Sequence, residues 1–443
     1  MSPSLLLLAG VGLLTGGALT VVFVRAPAVG VSLLLAAGLW PAAHRETVVH
    51  AGVDLTVQDL LVCCALAAAA VNVVRRTPAA RRALLLLMVI LLLTAGSFAV
   101  GVSSFGLQAA GNDMRAPFLY VFGLALYGLT LTYDATLVRR LAAVWVAAAC
   151  VEVLLAGLWW TENGIGSAVG QVLVGGVASE SRALSAPEAL IIAQAAVLVL
   201  FASSFGARRY LLAAPLLVAV VLLQHRTVWL ATAVMVGVWL LAGPGTDGTG
   251  RKADRQRRGL RIGLAVTAVG VGVFAVSSGL LGRLGAGLTV SASDSGTLAW
   301  RASGWSALLG TLDGFGDWLT GRPFGAGFDR LVDGRIVVVS PHNYFLHILL
   351  RIGLAGLLSF LALYASTLAG ALRHRRRPVG RAVGALACSQ LVFALTYQLC
   401  PEQGLVLGAL CALTAGVPLR RETGPARPAT PERTRPRAAT THS

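Results

Sequence analysis

The sequence predicts an all-α polytopic membrane protein with about 12–13 transmembrane helices and one large extracytoplasmic loop that bears a surface helix. Of its 443 residues, 56% are hydrophobic and only 12% are charged. Apolar runs long enough to cross roughly 30 Å of hydrocarbon recur along the chain. Because backbone polar groups inside lipid must bond to one another, we predict that these runs are helices.

The apolar runs place thirteen spans in a single membrane domain over residues 1–419. The number falls to twelve if one of the short runs (28–43, 210–224, 228–242 or 404–419) is a re-entrant or tilted half-helix. The first run lacks a preceding basic segment, so we predict a first span there and not a cleaved signal peptide. The spans lie near 5–24, 28–43, 57–74, 83–102, 117–133, 141–160, 187–206, 210–224, 228–242, 262–281, 343–371, 382–400 and 404–419.

The basic residues orient these spans. Short arginine clusters on one side hold 26 of the 36 basic residues, and the positive-inside rule makes that side cytoplasmic. It includes a linker over 243–261 and a basic tail over 420–443 that we predict to be disordered. The opposite loops carry most of the acidic residues, Asp113 among them, and lie near 44–56, 103–116, 161–186 and 282–342.

Composition also excludes some partners. The net charge of +17 suggests nucleic-acid binding, but the basic residues form no face interleaved with aromatic side chains. They separate apolar runs, so we expect a lipid bilayer and no nucleic acid as partner. None of the six cysteines has metal-site spacing, and the outward Asp residues do not cluster as metal ligands would. We therefore expect no metal and no cofactor.

The loop 282–342 is the only sizeable element predicted outside the membrane. Its middle, Leu298 to Trp318, has apolar residues at helical spacing, which predicts a helix lying along the membrane surface. The glycine-rich segment Gly321–Phe328 predicts a turn. A phosphate-binding loop is the alternative there, but no strand precedes it and no Lys-Ser/Thr follows.

Three side chains on the outward side are candidates for a site. Arg226 and Arg301 are either interfacial arginines or phosphate ligands, because a guanidinium meets phosphate oxygens bidentately and keeps its proton. His342 is either a polar interface residue or a general base, because imidazole can accept a proton near pH 7. It precedes a helix that Ser340 or Asn343 could cap.

The helix after His342 contains a charge where lipid disfavours one. Arg351 lies nine residues into the run, roughly 13 Å deep at 1.5 Å per residue, so it needs a partner or a wet cavity. Glu402 and Glu152 are the candidate partners. We expect His347 to be a core or supporting residue, and His225 to be an interfacial neighbour of Arg226.

These residues stand in motifs that resemble the O-antigen ligase / O-antigen polymerase-like membrane family over about residues 185–370. The order of the motifs and the position of the large outer loop are also similar to that family. One departure is Arg351, where the family usually has an acidic residue. The matching segments are Arg226–Ala231, Arg301 with Trp305, Pro323–Phe328, His342–Leu346 and Leu350–Gly356.

The resemblance implies a membrane-embedded, metal-independent, inverting glycosyltransferase, either a polysaccharide ligase or a polymerase, in the cytoplasmic (inner) membrane. Its donor would be a glycan on polyprenyl pyrophosphate, presented at the outer face, and its acceptor a sugar hydroxyl. Arg226 and Arg301 would stabilise the pyrophosphate leaving group, and His342 would orient or deprotonate the attacking hydroxyl. Asn343 and Arg351 would contribute to substrate binding.

A different function class remains open. Arg351 within the membrane and the short spans also fit a transporter or flippase for a lipid-linked glycan or a small anion. The candidate polar residues collect at the outer face beside a large loop, which favours an enzyme.

Overall fold

The computed structural model describes residues 3–39, 49–50, 54–75, 80–165, 170–174, 177–202, 205–206, 208–241, 297–332 and 335–415. Several predicted features lie outside these residues. They are the span 262–281, the linker 243–261, the tail 420–443 and the start of the large outer loop.

The amino-terminal half of the described chain consists mainly of helices, most of them long and apolar. Asp134 begins the longest of them, since its side chain accepts the Leu137 amide at 2.6 Å. A π-helical turn over Arg115–Tyr120 joins the fifth and sixth helices. The helices are α1 (Pro3–Arg25), α2 (Pro27–Leu39), α3 (Val57–Arg75), α4 (Arg81–Phe105), α5 (Leu107–Met114), α6 (Val121–Thr130) and α7 (Ala135–Asn163).

The second half continues the helical pattern. A capping box formed by Ser185 and Glu188 begins its first helix. The helices are α8 (Ala186–Phe201), α9 (Arg208–Leu222), α10 (Arg226–Leu241), α11 (Thr297–Leu309), α12 (Gly314–Thr320), α13 (Tyr344–Arg373), α14 (Pro378–Ala394) and α15 (Pro401–Thr414).

Four helices in the described part are long and apolar enough to cross a membrane: α3 over Val57–Val74, α4, α7 and α13. The pair α1 and α2, bent by 120° between them, would make a fifth span if it crosses as one unit. The chain is therefore mostly helical, with helices suited to a bilayer. Each predicted span within the described residues overlaps a helix, but the total of twelve or thirteen crossings stays a prediction.

Short antiparallel hairpins are an addition to the predicted all-helical pattern. They pair β1 (Val49–His50) with β2 (Asp54–Leu55), β3 (Gly170–Val174) with β4 (Val177–Ser181), and β5 (Arg330–Val332) with β6 (Arg335–Val337). All three hairpins fall in loops that the charge distribution assigns to the outer side.

Helices α6 and α15 pack with their backbones close together. A Cβ at Gly404 would overlap the Val121 carbonyl, and one at Gly408 would overlap the Ala125 carbonyl. Small residues let two backbones approach closely where helices pack in lipid. This contact fixes the start of α15 against the start of α6.

Helix α13 covers the predicted span 343–371, but it is not one continuous helix. It breaks at Ile352 and Gly353, and Gly353 has φ +65°. The break frees backbone carbonyls, and other groups bond to them: the Arg322 amide donates to Leu350 at 2.7 Å, and the Ser97 hydroxyl donates to Arg351 at 2.8 Å. The residues after α12 therefore pack into the break.

The predicted surface helix over Leu298–Trp318 is two helices, α11 and α12, separated by a turn. Leu308 and Leu312 are buried against Leu346 and Leu350 of α13, whereas Phe315 is 81% exposed. Part of this segment thus belongs to the core. Whether the rest lies along a membrane surface stays a prediction.

Candidate functional site

Arg301 and His342 lie close enough to interact electrostatically, with Arg330 beside them. Arg301 comes from α11, Arg330 from β5, and His342 from the segment before α13. The charges of the two arginines act on the imidazole. The structure thus brings together two of the three predicted site residues and adds Arg330, a third cation from the segment that we predict to be the large outer loop.

Hydrogen bonds and a glycine fix this arrangement. The Trp305 indole donates to the Pro341 carbonyl at 2.6 Å, which ties α11 to the segment that carries His342. Arg330 Nη1 donates to the carbonyls of Phe328 at 3.0 Å and Val339 at 2.7 Å. A Cβ at Gly304 would lie 2.9 Å from Arg330 Nε, so glycine makes room for the guanidinium.

The two guanidinium groups retain donors without acceptors. The Nε atoms of Arg301 and Arg330 are buried and make no hydrogen bond to the residues that the structure describes. The Arg301 guanidinium instead lies over the Tyr397 ring, 5.8 Å from its centroid. Buried donors beside cationic charge are the arrangement that an anion would satisfy.

His342 has an unusual backbone and a shifted titration. Its φ is +49°, and Gln224, two residues before Arg226, has φ +57°. Non-glycine residues rarely adopt this conformation, and such outliers cluster at functional sites. Burial, followed by the charges of Arg301 and Arg330, lowers the pKa of His342 below its ordinary value of 6.5. The imidazole is therefore neutral at pH 7.

The residue after Arg226, Thr227, contacts the segment that lies beneath Arg301. Arg226 is exposed at the start of α10, and the Thr227 hydroxyl lies 2.6 Å from the Thr396 hydroxyl. The next residue, Tyr397, carries the ring beneath Arg301. The start of α10 and Arg301 therefore approach the same short segment between α14 and α15.

Asn343 caps α13. Its side-chain oxygen accepts the Leu346 amide at 3.0 Å. This bond fixes the direction of the helix and the position of the preceding His342. Because the side-chain oxygen of Asn343 is used in this cap, its amide nitrogen is the atom that could contact a substrate.

The partner of Arg351 is Asp113, so neither Glu402 nor Glu152 fills that role. Arg351 Nε lies 2.6 Å from Asp113 Oδ2, and the arginine is only 1% exposed. Its Nη2 also donates to the Gly327 carbonyl at 2.9 Å, and its guanidinium lies 4.1 Å from the centre of the Phe328 ring. These contacts hold the turn Gly321–Phe328 against α13. Its predicted role in substrate binding stays a prediction.

His347 and His225, the other two histidines considered in the sequence analysis, are both buried. His347 is 1% exposed, with Nδ1 2.7 Å from Gln398 Nε2 and Nε2 3.8 Å from Asp113 Oδ1, which places it in the core as expected. His225 is 3% exposed, and its Nε2 lies 3.0 Å from the Leu184 carbonyl oxygen. It is therefore packed inside the protein beside Arg226, and its place at a membrane interface stays a prediction.

Sequence reasoning did not single out Arg330, Tyr397 or the role of Asp113. Their signals were weak, because each depends on contacts between segments far apart in the chain. Asp113 stood among the outward acidic residues, which was the available clue. Within the described residues, no three or more His, Cys, Asp or Glu side chains are arranged to hold a metal ion.

No protein-family model and no curated protein matches this sequence.

Proposed function

We propose that the chain is a glycosyltransferase similar to O-antigen ligases and polymerases, acting at the outer face of the cytoplasmic membrane in cell-surface polysaccharide biosynthesis. Its donor is a glycan linked to polyprenyl pyrophosphate, and its acceptor is a sugar hydroxyl. The supporting observation is the grouping of Arg301, Arg330 and a neutral His342, with buried guanidinium donors that lack acceptors.

The chemistry follows from charge. As the bond between the anomeric carbon and the diphosphate oxygen breaks, negative charge develops on the leaving group. Preorganised guanidinium groups stabilise such charge without reorganising at the moment of reaction. Arg301 and Arg226 take this role, and Arg330 adds a third positive charge beside His342.

His342 acts on the acceptor. The acceptor hydroxyl oxygen forms a bond to the anomeric carbon on the side opposite the leaving diphosphate, and its proton passes to the imidazole. Attack from that side inverts the anomeric centre. A neutral imidazole is required, and the lowered pKa of His342 keeps it in that form at pH 7.

Asn343 and Arg351 have supporting roles in this proposal. Asn343 directs His342 by capping the helix that follows it. Arg351, paired with Asp113, positions the turn that precedes Arg330. The amide nitrogen of Asn343 is also offered to the substrate, while Arg351 contributes to substrate binding through this positioning.

The test is reconstitution of the full chain with extracted lipid-linked oligosaccharides, scored for chain growth and for transfer to an added acceptor. Arg301→Ala and His342→Ala should each abolish transfer at unchanged protein abundance. His374→Ala and Arg376→Ala, on the predicted cytoplasmic side, are the matched controls and should keep full activity. Full transfer by either site variant would refute the proposal.

A second candidate is a transporter or flippase for a lipid-linked glycan, favoured by the break in α13 beside the buried Arg351. Interrupted helices with charged groups are typical of transporter binding sites. Proteoliposomes separate the two functions: movement of the lipid-linked glycan between leaflets without any new glycosidic bond would support transport, and bond formation would support transfer.

A further inference from the structure

The short segment that joins α14 to α15, residues 395–400, contacts three other helices of the site region. Three of its side chains, consecutive in the sequence, each reach a different helix. The contacts are Thr396 with Thr227 of α10 (2.6 Å between the hydroxyl oxygens), Tyr397 with Arg301 of α11 (5.8 Å from the ring centroid to the guanidinium carbon) and Gln398 with His347 of α13 (2.7 Å between Nε2 and Nδ1). Helix α10 begins at Arg226 and α13 follows His342, so this one segment contacts the elements of all three predicted site residues.

The Tyr397 ring in the middle of this segment is itself held in place. It stacks on the Phe393 ring, with the centroids 5.1 Å apart and the planes inclined by 19°. Phe393 is fully buried in α14. The Tyr397 amide also donates to the Phe393 carbonyl at 3.0 Å, which continues the last turn of that helix. The ring beneath Arg301 is therefore supported by the core.

Arg301 is positioned in a different way from the buried Arg351. Besides its ring contact, Arg351 is bound by the Asp113 carboxylate and the Gly327 carbonyl, which use its donors and balance its charge. No ion pair joins Arg301 to a carboxylate within the described part of the chain. The aromatic ring attracts the cation through the negative charge on its face and cancels none of the positive charge. Arg301 thus keeps its charge for a ligand.

We propose that Tyr397 is a positioning residue for Arg301: its ring holds the guanidinium in the orientation in which the terminal N–H groups meet the leaving diphosphate. A long side chain that is free in water must be ordered when it binds an anion, and this ordering costs affinity. The ring orders Arg301 before the substrate arrives and leaves the positive charge available. This inference rests on the proposed function, because the diphosphate is the ligand that it assigns to Arg301.

The experiment measures binding of inorganic pyrophosphate, which represents the leaving group, to the full chain in detergent micelles by titration calorimetry. The unchanged chain should bind it saturably, and Arg301→Ala should bind it more weakly. No saturable binding by the unchanged chain, or equal affinity in Arg301→Ala, would overturn the inference. No glycosidic bond forms in this experiment, so its outcome is separate from the transfer assay. Transfer without the expected binding pattern refutes the role of Tyr397 alone, whereas the binding pattern without transfer refutes the glycosyltransferase alone.

Two substitutions of Tyr397 separate the ring from the hydroxyl group. Tyr397→Leu should weaken pyrophosphate binding roughly three- to tenfold, the cost of ordering one long side chain. The number of binding sites per chain should stay the same, whereas a damaged fold would lower that number and not the affinity of each remaining site. Tyr397→Phe keeps the ring and should bind within about twofold of the unchanged chain. Unchanged affinity in Tyr397→Leu, or a loss in Tyr397→Phe as large as in Tyr397→Leu, would overturn the inference.

The chain offers a matched control in a second pair of the same kind. Arg209 lies over the Tyr210 ring, 5.0 Å from its centroid, at the end of α9 that the arginine clusters place on the cytoplasmic side. Tyr210→Leu should therefore bind pyrophosphate as the unchanged chain does. In the Arg301→Ala background, Tyr397→Leu should cause no further loss, because the ring acts through the guanidinium. A loss in Tyr210→Leu equal to that in Tyr397→Leu, or a further loss in the double variant, would contradict the proposed role.

A fluorinated ring provides an independent test if Tyr397→Leu fails to fold. Trifluorophenylalanine at position 397 keeps the shape of the phenylalanine ring, but its fluorine atoms withdraw the negative charge from the ring face that attracts a cation. Its affinity for pyrophosphate should be lower than that of Tyr397→Phe. Equal affinity of these two variants would show that the ring does not hold Arg301 electrostatically and would overturn the inference.

Discussion

Arg351 Nε lies 2.6 Å from Asp113 Oδ2, and this ion pair connects the first half of α13 to α5. The same Asp113 oxygen accepts the Gly325 amide at 3.0 Å. Arg351 in turn donates to the Gly327 carbonyl. The pair thus fixes both sides of the glycine-rich turn, and through it the strand that carries Arg330.

Asp113→Asn should destabilise the protein by about 3–5 kcal/mol, because it leaves the buried Arg351 guanidinium without its counter-charge. Thermal unfolding of the full chain in detergent measures the effect. Asp329→Asn removes an exposed carboxylate just after the turn Gly321–Phe328 and should change stability by less than about 0.5 kcal/mol. A variant Asp113→Asn as stable as this control would show that the ion pair contributes little.

The break in α13 leads to a second prediction. Gly353→Ala should strongly destabilise the protein, because φ is +65° and the new Cβ would overlap the Leu319 carbonyl. Gly316→Ala in α12 meets no atom within 4 Å, so it should be neutral or stabilising by up to about 1 kcal/mol through helix propensity. Unfolding of both variants under the same conditions makes the comparison. Similar stability of the two would contradict the packing of the loop into the break.

The helices and several of the site residues could be predicted from the sequence, because the signals that indicate them lie in the sequence itself. Apolar runs of span length indicate helices wherever lipid forbids unpaired backbone, and every such run in the described chain overlaps one. Arginine clusters assign each loop to a side, and a shared side is necessary for Arg301 and His342 to meet. These signals are local or additive along the chain.

The remaining features depend on contacts between distant segments. Arg351 pairs with Asp113, and not with Glu402 or Glu152, because of how α5 packs against α13. The spacing of residues along the sequence does not predict this packing. Ile352 and Gly353 break a helix that hydropathy extends without interruption. The hairpin at Arg330 is three residues a side, too short for periodicity to distinguish from loop.

The titration of His342 yields a third prediction. Since burial and then the charges of Arg301 and Arg330 lower its pKa, the imidazole stays neutral as the pH falls below 6.5. Transfer that requires neutral His342 should therefore persist to lower pH than an ordinary histidine would permit. The unfolded chain binds this proton more readily, so His342 makes stability decrease as the pH falls through the same range.

Arg330→Gln tests whether the positive charge of Arg330 lowers the pKa of His342. Removing one positive charge should raise the pKa of His342 and move the acid limb of the kcat/KM profile to higher pH. Arg330→Lys keeps the charge and should leave that limb near its original position, whatever its effect on the rate. An acid limb that is the same in both variants would remove the electrostatic basis for a neutral His342.

The orientation of the chain gives the last prediction. Phe315 is 81% exposed on α12, which the charge distribution places outside, and Arg376 is exposed after α13, on the predicted cytoplasmic side. In a background lacking the six cysteines, Phe315→Cys should react with a membrane-impermeant maleimide in intact cells. Arg376→Cys should react only after the membrane is permeabilised. Because the catalytic proposal requires Arg226, Arg301 and His342 to face the outer leaflet, the reverse labelling pattern would place them on the wrong side of the membrane for a donor presented outside.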